Sequence, residues 1–434
     1  MLSDPSAPYI LANARAPACL VPGLRAMPDA EGLVALDIRV AHGTITGIVP
    51  AGTANSDIPR HELAGSLVLP GLVDVHTHLD KGFIWPRAPN PDGTFAGAVQ
   101  AADADRLANW DEEDVRRRMD FALRCAYAHG TVAIRTHLDS IGEQTAISWP
   151  VFAEMRALWA DRIALQAVSL MPIDHALDAT EFATVLAAVR TFGGVLGAFT
   201  YVTPNLDAAL ERMFDAAEQY GLDLDFHADE SASLDARSLA RIASIANARN
   251  HQGRILVGHC CALALQAEDE VDRTLDAVAR AGIAVVALPM CNLYLQNRTP
   301  TRTPRWRGVT LLQEMQALGI PVMVASDNTR DPFHAYGDLD LVETYREATR
   351  IAHLDHPFAD WPGVVTSAPA NIMGLDNLGL LAPGRRADML VFRARSLNEL
   401  LARPQSDRLV LRAGRAIDCT LPDYAELDDL MGDT

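Results

Sequence analysis

Leu67-Val68-Leu69-Pro70-Gly71-Leu72-Val73-Asp74-Val75-His76-Thr77-His78-Leu79-Asp80-Lys81 is the stretch on which the fold turns. A short apolar, β-branched run stops at Val75, and ligand-type side chains follow at once. Such a run reads as a buried strand. Seven more runs of this kind follow, at 131–136, 163–170, 194–200, 222–226, 254–258, 283–288 and 321–326. Helix-like segments separate most of them, such as 113–129 and 206–220, with apolar residues at spacings of three and four. Strands alternating with helices imply βαβ units and a parallel sheet buried on both faces. Eight of them predict an α/β fold, a (β/α)8 TIM barrel. A doubly wound open sheet is the competitor, but no GxGxxG follows an early strand.

The ends of the chain have another character. Tyr9-Ile10-Leu11, 33–40 and 44–49 read as strands punctuated by Pro and Gly, and so do 387–392 and 408–411. Two strand-rich ends around a different middle predict one small β domain built from both termini.

Of 434 residues, 37 are Lys or Arg and 56 are Asp or Glu, a formal charge of −19. That balance excludes a phosphate-tracking nucleic-acid binder, which needs a basic face. It also offers no polybasic membrane patch, and no apolar run approaches the roughly 20 residues that span a bilayer. The N-terminus shows no cationic segment followed by an apolar one, so the expectation is a cytoplasmic protein. The six cysteines (Cys19, Cys125, Cys260, Cys261, Cys291, Cys419) are scattered without a CxxC pair and read as reduced, buried thiols. Lys81 is the only lysine. Any mechanism that needs a lysine must use it.

In a barrel, chemistry collects where strands end. His76, His78 and Asp80 follow the first run, His137 and Asp139 the second, His227 and Glu230 the fifth, His259 the sixth and Asp327 the eighth. The other histidines (His42, His61, His129, His175, His251, His334, His353, His356) read as ordinary surface, loop or helix residues. A lone histidine at a strand end is more often a hydrogen-bonded structural residue than a ligand. Alternate residues of a strand share a face, however, so His76 and His78 can hold one ion together with Thr77 turned away. A nitrogen from His227 and a carboxylate from Asp327 would complete a mixed N/O site with a position open for water. Glu230, three residues past a ligand, can reach over such a metal without binding it. A first-turn helix carboxylate is its bland alternative. His259 is either a donor to the substrate or a structural partner, and Cys260 and Cys261 beside it read as packing residues.

These blocks resemble the amidohydrolase superfamily, and within it the cytosine-deaminase-like group, over nearly the whole chain. The segment 70–80 looks like the strand-one signature, Arg135-Thr136-His137-Leu138-Asp139 the strand-two segment and His227-Ala228-Asp229-Glu230 the strand-five segment. Asn292-Leu293-Tyr294-Leu295-Gln296, Ser326-Asp327-Asn328 and Asp331-Pro332-Phe333 resemble the later blocks, and they are more specific than HxH. The segment 381–389 looks like the return to the small β-sandwich that the superfamily builds from both termini. The implied domains are a composite sandwich over 1–67 and 380–434 and a barrel over 68–379.

The resemblance implies one divalent ion, zinc or iron, on His76, His78, His227 and Asp327. It makes Glu230 the proton shuttle, His259 the group that polarises the substrate, and Asp327 also the acceptor of the water proton. Many amidohydrolases bridge two metals with a carbamoylated lysine at the fourth strand; here none exists there, which excludes that bridge. The implied activity is hydrolytic deamination of an amino-substituted nitrogen heterocycle, a cytosine-like pyrimidine or related ring, with release of ammonia. Cytosine deaminases carry a glutamine just past strand three, where Met171 or Pro172 stands. Asn328 replaces an expected acid, and Phe333 an expected tryptophan. Loss of the amide removes a hydrogen bond to the ring, so a triazine, pterin or purine-like base stays open. Met171, Asn328, Phe333 and Lys81 are the candidate substrate contacts. Lys81 is either a surface lysine or one that touches a ring carbonyl, an anionic ring or the carboxylates of Asp80 and Asp139. Competing activities are removal of a substituted amine from a triazine-like ring, hydrolysis of a cyclic amide, and ligand binding without catalysis. The implied partner is a small heterocycle, with no nucleic acid and no membrane. A homo-oligomer is a state that superfamily members often adopt.

Overall fold

Burial follows the runs of apolar residues. The computed structural model describes residues 7–54, 57–358 and 360–432, which fall into two compact units. One gathers residues up to Asp74, Arg124–Ala133 and Asp340–Leu421; the other gathers Val75–Leu123, Ile134–Leu339 and the residues from Pro422 on.

Both ends of the chain build the first unit. Strands β1 (Tyr9–Pro17), β2 (Leu33–Ala41), β3 (Thr44–Pro50) and β4 (Arg60–Glu62) form one sheet in the order β3-β2-β1-β4. A second sheet holds β5 (Val68–Pro70) and three C-terminal strands, Met389–Val391, Leu409–Arg412 and Arg415–Ala416. Alternating side chains of both sheets share one core, with Leu11, Leu36 and Ile38 from the first and Val68, Met389 and Leu411 from the second. The first run therefore splits. Its start pairs antiparallel with Met389–Val391, and Gly71 separates it from the next strand. A Cβ at Gly71 would lie 2.2 Å from Val132 Cγ1, so only glycine fits this crossing.

The second unit carries the alternation. Strands β6 (Leu72–Thr77), β7 (Thr131–Asp139) and β8 (Ala164–Leu170) form a three-stranded sheet in that order. Strands β9 (Leu196–Phe199), β10 (Leu224–Ala228), β11 (Ile255–His259), β12 (Ala284–Ala287) and β13 (Val322–Val324) form a five-stranded parallel sheet in sequential order. Isolated parallel bridges join the two sheets on both sides, Val168 with Val195 and Pro172 with Phe199 on one, and Thr77 with Asp327 on the other. Between the strands lie α1 (Phe95–Asn109), α2 (Glu112–His129), α3 (Gln144–Trp159), α4 (Ala179–Phe192), α5 (Leu206–Tyr220), α6 (Ser238–Arg249), α7 (Glu268–Ala281) and the short α8 (Pro289–Leu295). Strand β7 runs on to Asp139, past the end predicted at 136, so His137 and Asp139 belong to the strand itself. Among the described residues no helix is long and apolar enough to cross a membrane.

Candidate active site

His76 is the fifth residue of β6, and His78 lies just past its end. Thr77 between them turns to the neighbouring strand, where its hydroxyl donates to the Arg135 carbonyl at 3.2 Å. This is the two-residue period of a strand. His76 Nε2 lies 3.0 Å from His227 Nε2, and His227 Nε2 lies 3.3 Å from His78 Nε2. Asp327 Oδ1 lies 3.2 Å from His78 Nε2 and 3.6 Å from His76 Nε2. Three histidines and one carboxylate from three strand ends thus aim at one point.

All four side chains are buried. Burial, reinforced by neighbouring cationic groups, holds the pKa values of His76, His78 and His227 well below the ordinary range. Neutral rings with lone pairs pointed at one another repel unless a cation or proton lies between them. The donor set fits a divalent metal of borderline softness. His137 packs against His76 with ring centroids 4.0 Å apart and planes tilted by 39°, and its ligand atom also falls within 4.8 Å of those of His76, His78 and His227. Its Nε2, however, lies 3.2 Å from Asp225 Oδ1, while Asp225 Oδ2 accepts Arg135 Nη1 at 3.0 Å. Asp225 stands two residues before His227 on the same face of β10, and nothing in its local sequence marks it as a partner of His137.

Beside the cluster, Asp229 and Glu230 divide two tasks. Asp229 (φ 54°) turns back, and its carboxylate accepts the amides of Ser238 at 2.7 Å and Leu239 at 3.0 Å at the start of α6. This leaves Glu230 facing the cavity, its Oε1 accepting Asn292 Nδ2 at 3.1 Å and lying 3.3 Å from His259 Nδ1. The same amide nitrogen lies 2.9 Å from His259 Nδ1. Burial, and then the negative charge of Asp327, push the Glu230 pKa well above the carboxylate range. Burial lowers that of His259 to about 3. His259 and Cys260 both take left-handed backbone angles (φ 71° and 52°) as β11 ends. That conformation is costly for residues with a Cβ. His259 Nε2 has no hydrogen-bond partner among the described residues.

Above these groups lies a cavity of about 270 Å³. His78, His227, Glu230, His259, Lys81 and Asn328 line it together with apolar side chains such as Phe95, Phe199 and Phe333. His76 and Asp327 are buried behind it. Lys81 is no surface lysine. It is 5% exposed, its Nζ lies 2.7 Å from Asp139 Oδ1, and it stands 5.3 Å from the Phe333 ring centroid. Asn328 Nδ2 donates to Asp331 Oδ2 at 2.7 Å, and Asp331 Oδ1 accepts the Phe333 amide at 2.8 Å. Asp331 thereby sets both residues. Met171 is fully buried and is not a lining residue; its neighbours Leu170 and Pro172 are. His175, read as an ordinary histidine, lines the cavity, as does Arg106 of α1. His334 is buried rather than superficial, with Nδ1 3.2 Å from the Asn328 carbonyl. All six cysteines are free thiols; Cys19 and Cys419 are half-buried rather than buried.

An α/β fold with a buried histidine–aspartate cluster at its strand ends, beside a cavity lined by a glutamate, fits a metal-dependent hydrolase. A sequence profile of the amidohydrolase family matches residues 170–418. Pterin deaminase of Rhizobium rhizogenes is 52% identical over 432 residues, 99% of each chain. The structure of 5-methylcytosine deaminase from Klebsiella pneumoniae, liganded with 5-fluorocytosine, superimposes with a TM-score of 0.81 at 23% identity, covering 94% of this chain and 97% of that one. N-isopropylammelide isopropylaminohydrolase from Burkholderia multivorans gives 0.75 at 26% identity, covering 94% and 98%. The chain belongs to the amidohydrolase family, and it is a hydrolase of carbon–nitrogen bonds.

Proposed function

We propose that this protein is a metal-dependent hydrolytic deaminase of an amino-substituted bicyclic nitrogen heterocycle of the pterin class. The convergence of three Nε2 atoms and Asp327 Oδ1 beside Glu230 carries the chemistry, and the 52% identity to a pterin deaminase carries the ring. Met171 and Pro172, where an amide would read a pyrimidine edge, are apolar and support a ring other than cytosine; of the two, Pro172 lines the cavity. Architecturally, we read the eight strands as a (β/α)8 barrel within 68–379, a closure that the isolated bridges at Thr77–Asp327 and Val168–Val195 support. The companion reading, a β-sandwich built from strands of 1–67 and 380–434, takes in β5 (Val68–Pro70) as well, since β5 pairs with Met389–Val391.

His76, His78, His227 and Asp327 would hold one divalent ion, zinc or iron. Such an ion supplies Lewis-acid polarisation and lowers the pKa of a water towards about 7. Asp327 takes the proton that the attacking water gives up. Glu230, whose carboxyl holds its proton to higher pH through burial and the charge of Asp327, hands its proton to the ring nitrogen next to the carbon bearing the amino group, which makes that carbon electrophilic. His259, which can present Nε2–H to the cavity when Nδ1 accepts from Asn292, donates to the oxygen that adds. The C–N bond then breaks as the proton held by Asp327 passes to the amine and the proton of the added hydroxyl returns to Glu230, which restores both carboxyl groups. Water plus aminoheterocycle gives the oxo-heterocycle plus ammonia. Lys81 touches the far edge of the ring, at a carbonyl or an anionic nitrogen.

The test is ammonia and alkylamine release from pterin, cytosine, a diaminotriazine and N-isopropylammelide, with metal content measured on the same preparation. Pterin is expected to turn over fastest with release of ammonia. Metal-loaded protein that leaves pterin intact while another ring turns over would overturn the pterin reading.

A further inference from the structure

A buried network of ionic side chains with no assigned task touches the backbone on either side of Lys81. We propose that Arg118 of α2 is a positioning residue of the active site that acts through Lys81, an inference that rests on the reading of Lys81 as a substrate contact. Arg118 is fully buried. Its Nη1 donates to the Asp80 carbonyl at 2.6 Å and to the Gly82 carbonyl at 3.1 Å, carbonyls of the two residues that flank Lys81. Its Nε and Nη2 both grip Asp114 Oδ2, at 2.9 and 2.5 Å.

Asp114 is anchored in turn. Arg87 donates to Asp114 Oδ1 at 2.6 Å, to Asp105 of α1 at 2.9 Å and to the Leu430 carbonyl at 2.9 Å. Two guanidiniums and two carboxylates are thereby balanced, and the Trp110 indole donates to Asp105 at 2.7 Å.

A buried ion network of this kind is weak evidence for stability, because desolvation offsets much of the attraction. Its geometry is specific instead. Lysine carries its charge on a flexible four-carbon stem, so its aim depends on a fixed backbone and a fixed counter-charge. The segment Asp80–Gly82 is held from one side by Asp139, whose amide donates to Asp80 Oδ2 at 2.8 Å. Arg118 holds it from the other. Only a guanidinium fork reaches two carbonyls and one carboxylate together.

The experiment is a double-mutant cycle on the metal-loaded enzyme, with kcat and KM for pterin, metal content and Tm measured for each variant. Arg118→Lys is expected to lower kcat/KM about tenfold or more with metal content unchanged. Added to Lys81→Met, it is expected to cost less than about twofold further. An equal loss with and without Lys81 would overturn the proposal, as would wild-type kcat/KM for Arg118→Lys. A fully active Lys81→Met would overturn the substrate-contact reading and this proposal together, which separates the two failures. If Arg118→Lys does not fold, Arg118→Met with Asp114→Asn, which leaves no lone buried carboxylate, is judged by the same criteria.

Discussion

Glu230 and Asn292 show how much chemistry one amide can arrange. A carboxyl group buried near Asp327 keeps its proton to higher pH, and Asn292 holds it against His259. Glu230→Gln preserves shape and hydrogen bonding but cannot release a proton. It is expected to bind metal normally and to lose about 10²–10⁴-fold in kcat, read by steady-state kinetics beside metal analysis. Near wild-type kcat would remove Glu230 from the mechanism. Asn292→Ala deletes both contacts while leaving the four proposed metal ligands His76, His78, His227 and Asp327 in place. The expected outcome is a fall in kcat with KM nearly constant, since interactions that orient the acid/base groups act in the transition state. A change confined to KM would instead make Asn292 a binding residue.

Elements explain which features the sequence displayed. The eight apolar runs and the helix 206–220 were legible because burial and helical period are local properties. His76, His78, His227, Glu230, His259 and Asp327 were legible as strand-end residues for the same reason. Asp225, Asn292 and Arg118 were not, because each acquires its role from a partner distant in the chain: Asp225 from His137, Asn292 from Glu230 and Arg118 from Asp80. The first run illustrates the limit well. Its composition looks continuous, yet Pro70 and Gly71 divide it between two sheets. Gly71→Val would drive a side chain into Val132, and overpacking of this kind costs roughly 1–3 kcal/mol. Urea melts are expected to show that loss, and an unchanged midpoint would mean the crossing can relax.

At the scale of the whole molecule, two conditions are expected to set stability. The first is metal: a ligand that binds only the folded chain stabilises it by about 2.7 kcal/mol at a hundredfold excess over Kd. Chelation is therefore expected to lower Tm, and readdition of zinc or iron to restore it; a Tm indifferent to chelator would argue against a tightly held ion. The second is acid. Burial alone would raise the pKa of Asp340, but the paired contact with Arg408, 2.7 Å at Oδ1, outweighs it and leaves the group below its usual range. A lowered folded pKa means stability present above the unfolded value of about 3.9 and lost as pH falls through the folded one. Asp340→Asn is expected to be less stable than wild type at pH 6, with the gap closing below about pH 4, as followed by urea melts across that range. One last property follows from a residue already described. Because Lys81 is the sole lysine and stands in the cavity wall, protein labelled with nitrogen-15 lysine contains one side-chain ammonium. Its single NMR resonance is a built-in reporter of cavity occupancy, free of overlap from any other residue of its type.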